Sequence, residues 1–147
     1  MDKYEIRVII MGAFLMSVFV FAILYSNKVR KIDVPECIPY DGAFQNPKVI
    51  KRDSLQYDAH FVAGMWSFEP AEVYLPVGAE LDLYLTSKDV VHGFHIEKKG
   101  LNMMAVPGGI NKQTLKFDKA GIYRIVCHEY CGTGHQNMMS EIIVNDH

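Results

Sequence analysis

The sequence predicts an all-β domain, a Greek-key sandwich or small barrel, attached to one N-terminal apolar helix long enough to cross a membrane. Three observations carry this. Residues 8–25 form an eighteen-residue run without a charged side chain. From Leu55 onward the apolar residues recur with a period of two, most clearly in Leu81-Asp82-Leu83-Tyr84-Leu85-Thr86, as expected of strands with one buried face. Turn residues punctuate those runs at short intervals, as in a sandwich or barrel. A chain of 147 residues has room for one ordinary domain beside the helix. The expected division is an anchor over 1–26, a linker over 27–54 and a β domain over 55–147.

The apolar run, at about 1.5 Å per residue, makes a helix roughly 27 Å long, close to the bilayer core. A cleaved signal peptide has a shorter apolar region and small residues at the cut. Here the run ends in Tyr25-Ser26-Asn27-Lys28 without an Ala-x-Ala site, so an uncleaved anchor is expected. Lys3 and Arg7 precede it, whereas Lys28, Arg30 and Lys31 follow it. By the positive-inside rule that count leans towards a cytoplasmic C-terminus.

Residues 1–32 carry a net charge of +3 and residues 33–147 one of −5. An acidic domain argues against nucleic acid as a partner and suits a basic protein. The linker is read from Pro35, Pro39, Gly42 and Pro47 without a sustained period. Cys37 within it is expected to be a half-buried structural thiol, because three cysteines do not make a disulfide framework. Beyond it, strands are expected over 56–63, 71–75, 80–86, 91–97, 113–117, 121–127 and 141–144. Pro76-Val77-Gly78, Pro107-Gly108-Gly109 and Lys119-Ala120-Gly121 supply turns.

The chemistry lies in residues 127–138, Cys-His-Glu-Tyr-Cys-Gly-Thr-Gly-His-Gln-Asn-Met. Two thiols lie four residues apart, with an imidazole four further on and a thioether three beyond that, and soft sulfur beside imidazole selects copper or zinc. His92, in Val90-Val91-His92-Gly93-Phe94-His95, offers a second imidazole. A mononuclear blue-copper site leaves one cysteine over, and a structural zinc site has no use for the methionine. Two coppers sharing both thiolates use every residue, with one His each, Met138 as a weak axial donor and a backbone carbonyl opposite. Gly132 and Gly134 are expected to permit the sharp backbone path of such a loop.

Cys127-x-Glu129-x-Cys131-x3-His135-x2-Met138 with an upstream His92 closely resembles the CuA loop of cytochrome c oxidase subunit II. Asp89-Val90-Val91-His92, Ala105-Val106-Pro107-Gly108 and Gly121-Ile122-Tyr123-Arg124-Ile125-Val126-Cys127 extend the resemblance over about residues 60–145. It implies a cupredoxin fold. It also implies that Cys127 and Cys131 bridge two coppers, with His92 and Met138 completing one and His135 and the Glu129 carbonyl the other. The Glu129 side chain would, as in much of the family, bind Mg²⁺ at the boundary with the catalytic subunit. His95 and His128 are expected to be neighbours, and Met103, Met104 and Met139 packing residues.

The family pattern often has Asp before Ala-Val-Pro-Gly and Arg after it, where this chain has Met104 and Gly109. With the single helix and His-Gln-Asn-Met, these departures look like the compact subunit II of B-type haem–copper oxidases. The resemblance then implies the electron-input subunit of a cytochrome c oxidase in the cell membrane, single-pass, with the C-terminal domain on the periplasmic side. That orientation opposes the charge count, and the metal loop is the more specific signal. Electrons would pass from cytochrome c to CuA and on to haem in subunit I, where oxygen reduction is coupled to proton pumping. Trp66, in Gly64-Met65-Trp66-Ser67-Phe68, would lie on the docking face as the point where electrons enter; the alternative is a tryptophan filling the core. The same module could serve a nitric oxide reductase. A copper-delivery or thiol-redox assembly protein also combines an anchor with Cys-x3-Cys, but it calls for an α/β pattern that is missing here.

Overall fold

The computed structural model describes residues 2–30, the backbone of 36–37, and residues 46–146. The chain divides into two compact units, Met1–Val34 and Pro35–His147. Among the described residues the first is a single helix, α1 (Lys3–Arg30), which continues past the expected end of the anchor at Ser26. Its side chains are apolar on every side, and Lys3–Val29 is long and apolar enough to cross a membrane. A helix without a polar stripe has no face suited to water.

The second unit contains, among the described residues, eleven strands and two short 3-10 turns. They are β1 (Glu36–Cys37), β2 (Lys48–Lys51), β3 (Gln56–Gly64), β4 (Ser67–Glu69), β5 (Glu72–Pro76), β6 (Ala79–Ser87), β7 (His92–Ile96), β8 (Leu101–Ala105), β9 (Asn111–Phe117), β10 (Gly121–Val126) and β11 (Met139–Asn145). One sheet runs β1-β9-β6-β3-β2, with β4 also paired to β3; the other runs β5-β11-β10-β7-β8. Pairs β3–β6 and β5–β11 are parallel and the rest antiparallel. This two-sheet sandwich is the fold class expected, and all seven expected strands are present.

Four further strands were not expected. Two of them, β1 and β2, fall inside the stretch read as a linker. Every residue of β2 is exposed on this edge of the sheet, so burial imposes no alternation on its sequence. Cys37 pairs by its backbone with Asn111; its expected role as a half-buried thiol lies outside the described side chains. β8 alternates inward Leu101, Met103 and Ala105 with outward Asn102 and Met104, a pattern shortened by the turn that follows it.

Period two sets the core. Leu81, Leu83 and Leu85 of β6 and Ile125 of β10 are fully buried. Phe94 meets Phe61 and Phe68 edge-on, with centroids 5.3 and 5.2 Å apart. Each such side chain contributes about 1.5–3 kcal/mol of burial. Tyr123 donates its hydroxyl to the Lys119 carbonyl at 2.8 Å, which anchors the start of β10, the strand that leads into Cys127.

On the outer face of the first sheet, Asp82 of β6 accepts from Thr114 of β9, from Lys112 at 3.1 Å and from Arg52. Burial works against its charge, but these partners outweigh that and hold the carboxyl below its ordinary range. A carboxyl depressed in the folded state stabilises above its unfolded value and loses that contribution as pH falls through the folded one. Asp82→Asn is therefore expected to cost about 1–3 kcal/mol at neutral pH. In urea titrations the deficit should shrink on acidification to about pH 3; an equal deficit at both pH values would exclude the charged network as its source.

Candidate metal centre

β7 and β10 pair through Ile96↔Ile125 and His95↔Val126. His92, at the start of β7, therefore lies at the end of the sandwich where β10 stops and the 127–138 loop begins. Alternation along β7 buries His92 and Phe94 and turns His95 outward to a half-buried position. The same alternation along β10 sends Tyr123, Ile125 and Cys127 inward. The loop closes on itself, with Cys127 N–H donating to Met138 O at 3.1 Å. A 3-10 turn over His135–Asn137 brings His135 and Met138 back towards the thiols.

The sulfurs of Cys127 and Cys131 lie 3.7 Å apart. Cys131 Sγ is 3.6 Å from His135 Nδ1 and 3.7 Å from Met138 Sδ. Cys127 Sγ lies 3.2 Å from the Glu129 carbonyl oxygen. Ligand atoms of His92, Cys127 and Cys131 all fall within 4.8 Å of one another, and all three residues are buried. The structure thus brings together the six positions singled out in the sequence. His95 and His128 stand apart, their rings edge-to-face at 6.2 Å. Met103 is buried in the core, and Met139 is exposed.

The chemistry of this donor set fits a thiophilic metal. His92 is fully buried; its Nε2 bonds Asp89 at 2.7 Å, and its Nδ1 has no hydrogen-bond partner. Leaving a buried polar atom unpaired costs about 1–3 kcal/mol, unless a metal takes the lone pair. Burial, and then the adjacent Cys127 thiol, push the Cys131 thiol up to about 11. The residues alone therefore favour a protonated Cys131, and a cation reverses that preference by binding the thiolate.

Two contributors differ from the sequence reading: Asp89, which is given no role there, and Gly134, whose role changes. Asp89 accepts from His92, from Met65 N–H at 2.6 Å and from Val90 N–H at 2.6 Å. Burial opposes its charge, but those bonds outweigh it and keep the carboxyl below its ordinary range. The available signal was its spacing, three residues before a ligand-type histidine.

The second is the true role of Gly134. Gly132 has φ 120° and needs glycine for its backbone, as expected. Gly134 has φ −93°, open to any residue, so its expected part in the backbone path is corrected. A Cβ there would stand 2.4 Å from the Trp66 ring; the glycine makes room for the indole. Trp66 covers the loop, donates Nε1–H to Cys131 O at 3.1 Å, and remains 41% exposed. It does not fill the core.

The periplasmic-domain family of cytochrome C oxidase subunit II matches residues 49–146. Cytochrome c oxidase subunit 2 of Thermus thermophilus is 32% identical over 136 residues, covering 91% of this chain and 100% of the relative. The Saccharomyces cerevisiae subunit 2 is 35% identical over 68 residues, covering 46% of this chain and 27% of that protein. Among solved structures, a chain of a heme-copper terminal oxidase dimer superposes with a TM-score of 0.85 at 40% identity, covering 97% of this chain and 100% of the other. The periplasmic domain of subunit II from Bradyrhizobium japonicum shares the fold, with a TM-score of 0.56 at 22% identity over 65% of this chain and 87% of that domain.

Proposed function

The chain belongs to the cytochrome c oxidase subunit II family, and from that premise we propose that it is the electron-input subunit of a membrane haem–copper oxidase, holding a dinuclear CuA centre. The observation that carries the reading is the buried cluster of two thiols 3.7 Å apart, flanked by an imidazole Nδ1 and a thioether. His92, Cys127, the Glu129 carbonyl, Cys131, His135 and Met138 would hold the two coppers. When bound, the copper pair supplies a one-electron carrier whose charge is spread over both thiolates.

The protein's own residues shield most of that site. Cys127, Cys131 and Met138 are each less than a tenth exposed, and His92 is fully buried, so water is kept from these four donors. Asp89 orients His92, and the Cys127–Met138 backbone bond closes the loop. A rigid donor set changes little when an electron arrives, which suits relay rather than substrate chemistry. The apolar helix supports anchoring in the cell membrane, and the family supports a periplasmic β domain.

Trp66, with exposed Met65, Val90 and Val91 around the Asp89 turn, offers a flat apolar landing for cytochrome c. Small, transient redox interfaces need little more. The net charge of −5 over residues 33–147 favours a basic donor. The haem-bearing subunit I would take the electrons on for oxygen reduction coupled to proton pumping. The exposed Glu129 carboxylate suits Mg²⁺, with its other ligands coming from that chain.

Copper analysis of the purified full chain tests this. Two coppers per chain with intense visible thiolate absorption are expected, lost in His92→Ala and retained in His95→Ala. One tightly bound zinc without colour would overturn the reading.

A further inference from the structure

Both oxygens of the Asp89 carboxylate are engaged, and by donors from different parts of the chain. Oδ1 accepts from His92 Nε2 at 2.7 Å and from Val90 N–H at 2.6 Å, with the Ser87 hydroxyl at 3.3 Å; Oδ2 accepts from Met65 N–H at 2.6 Å. Met65 immediately precedes Trp66, whose indole N–H reaches across to the Cys131 carbonyl. A closed circuit results: Asp89 to His92, His92 beside the thiols, Cys131 to Trp66, and Met65 back to Asp89. We propose that Asp89 is a positioning residue that ties the metal-facing imidazole of His92 and the solvent-facing indole of Trp66 into one mechanical unit.

The chemistry of the carboxylate makes this specific. An N–H from Nε2 fixes the His92 tautomer, so the lone pair is left on Nδ1, the atom without any other partner. The same group holds the turn that keeps the indole over Gly132 and Gly134. An amide cannot substitute. Asparagine has one acceptor oxygen and one NH₂ group, so either orientation sets N–H against N–H on one arm. The orientation that keeps the His92 and Val90 bonds sacrifices Met65, and the opposite one sacrifices His92 and Val90.

The inference rests on the copper reading above for one of its arms only. Trp66 is the sole tryptophan, so its fluorescence in the metal-free full chain, in detergent, reports on the turn directly. Asp89→Asn is expected to shift that emission to the red as the indole leaves the Cys131 carbonyl. It should also weaken copper binding about 10–100-fold in competition with a chelator, the usual effect of removing a ligand's hydrogen-bond partner.

Unchanged emission, or an affinity within twofold of the parent, overturns the coupling. A parent chain that takes up no copper overturns the functional reading instead, and the emission of the metal-free variant still decides the role of Asp89. Should the variant fail to fold, the parent decides. Its His92 Nε2–H should give a slowly exchanging imidazole proton resonance in the metal-free state, and the lack of one overturns the proposal.

Discussion

Cys131→Ser is expected to abolish the proposed two-copper centre. This is the largest effect expected of any single substitution, because Cys131 Sγ touches the Cys127 sulfur, His135 Nδ1 and Met138 Sδ at 3.6–3.7 Å. No other donor of the loop meets as many of its neighbours. Serine keeps nearly the same size but offers a hard oxygen of high pKa in place of a soft thiolate. Metal analysis should find at most one copper per chain, and the thiolate absorption and the spin signal shared between two metals should both vanish. The fold should survive, since the Phe61, Phe68 and Phe94 cluster and the Tyr123 anchor do not depend on the loop. Met138→Leu sets the comparison: it preserves bulk in a buried position and removes a weak donor, so copper should be retained with a changed potential. A Cys131→Ser chain that keeps two coppers and the parent spectrum would show that the thiols do not share the metals.

Trp66→Ala should slow electron uptake from reduced cytochrome c without altering copper content. An exposed aromatic at the centre of a small interface commonly carries about 2 kcal/mol, roughly 30-fold in rate or affinity. The indole sits over the loop with one face to solvent and its N–H on the Cys131 carbonyl, so truncation removes both the landing surface and that link. Gly134→Ala probes the same contact from the other side. Its methyl would meet ring atoms 2.4 Å away, forcing the indole out while leaving the tryptophan in place, and uptake should slow in the same direction. Stopped-flow mixing with reduced cytochrome c checks both variants; unchanged rates with an intact copper spectrum would move electron input away from Trp66.

Several features could be read directly from residue types and spacing. An uncharged run of eighteen residues is a helix of membrane length whatever surrounds it, and α1 is that helix. Alternation of period two marked strands such as β5 and β11 that bury one face, because burial itself imposes the alternation. Twelve residues carrying two thiols, two imidazoles and a thioether named the donor chemistry, since local spacing already limits which ligands can meet.

Other features were decided only by the tertiary fold. The edge strand β2 is exposed throughout, so no burial constraint shaped its sequence into a readable pattern. Trp66 and the Cys131 carbonyl are 65 residues apart in the chain, and nothing local to either predicts their bond. Gly134 looks like a turn residue in sequence, yet its φ is ordinary and its missing side chain is space for an indole from the turn between β3 and β4. Asp89 appears as one acidic residue near a histidine until the sandwich brings the Met65 turn against it. Ligand identity is a property of side chains, and the sequence carries it. Which backbone groups and neighbours hold those ligands is a property of packing between distant segments, and the fold supplies it.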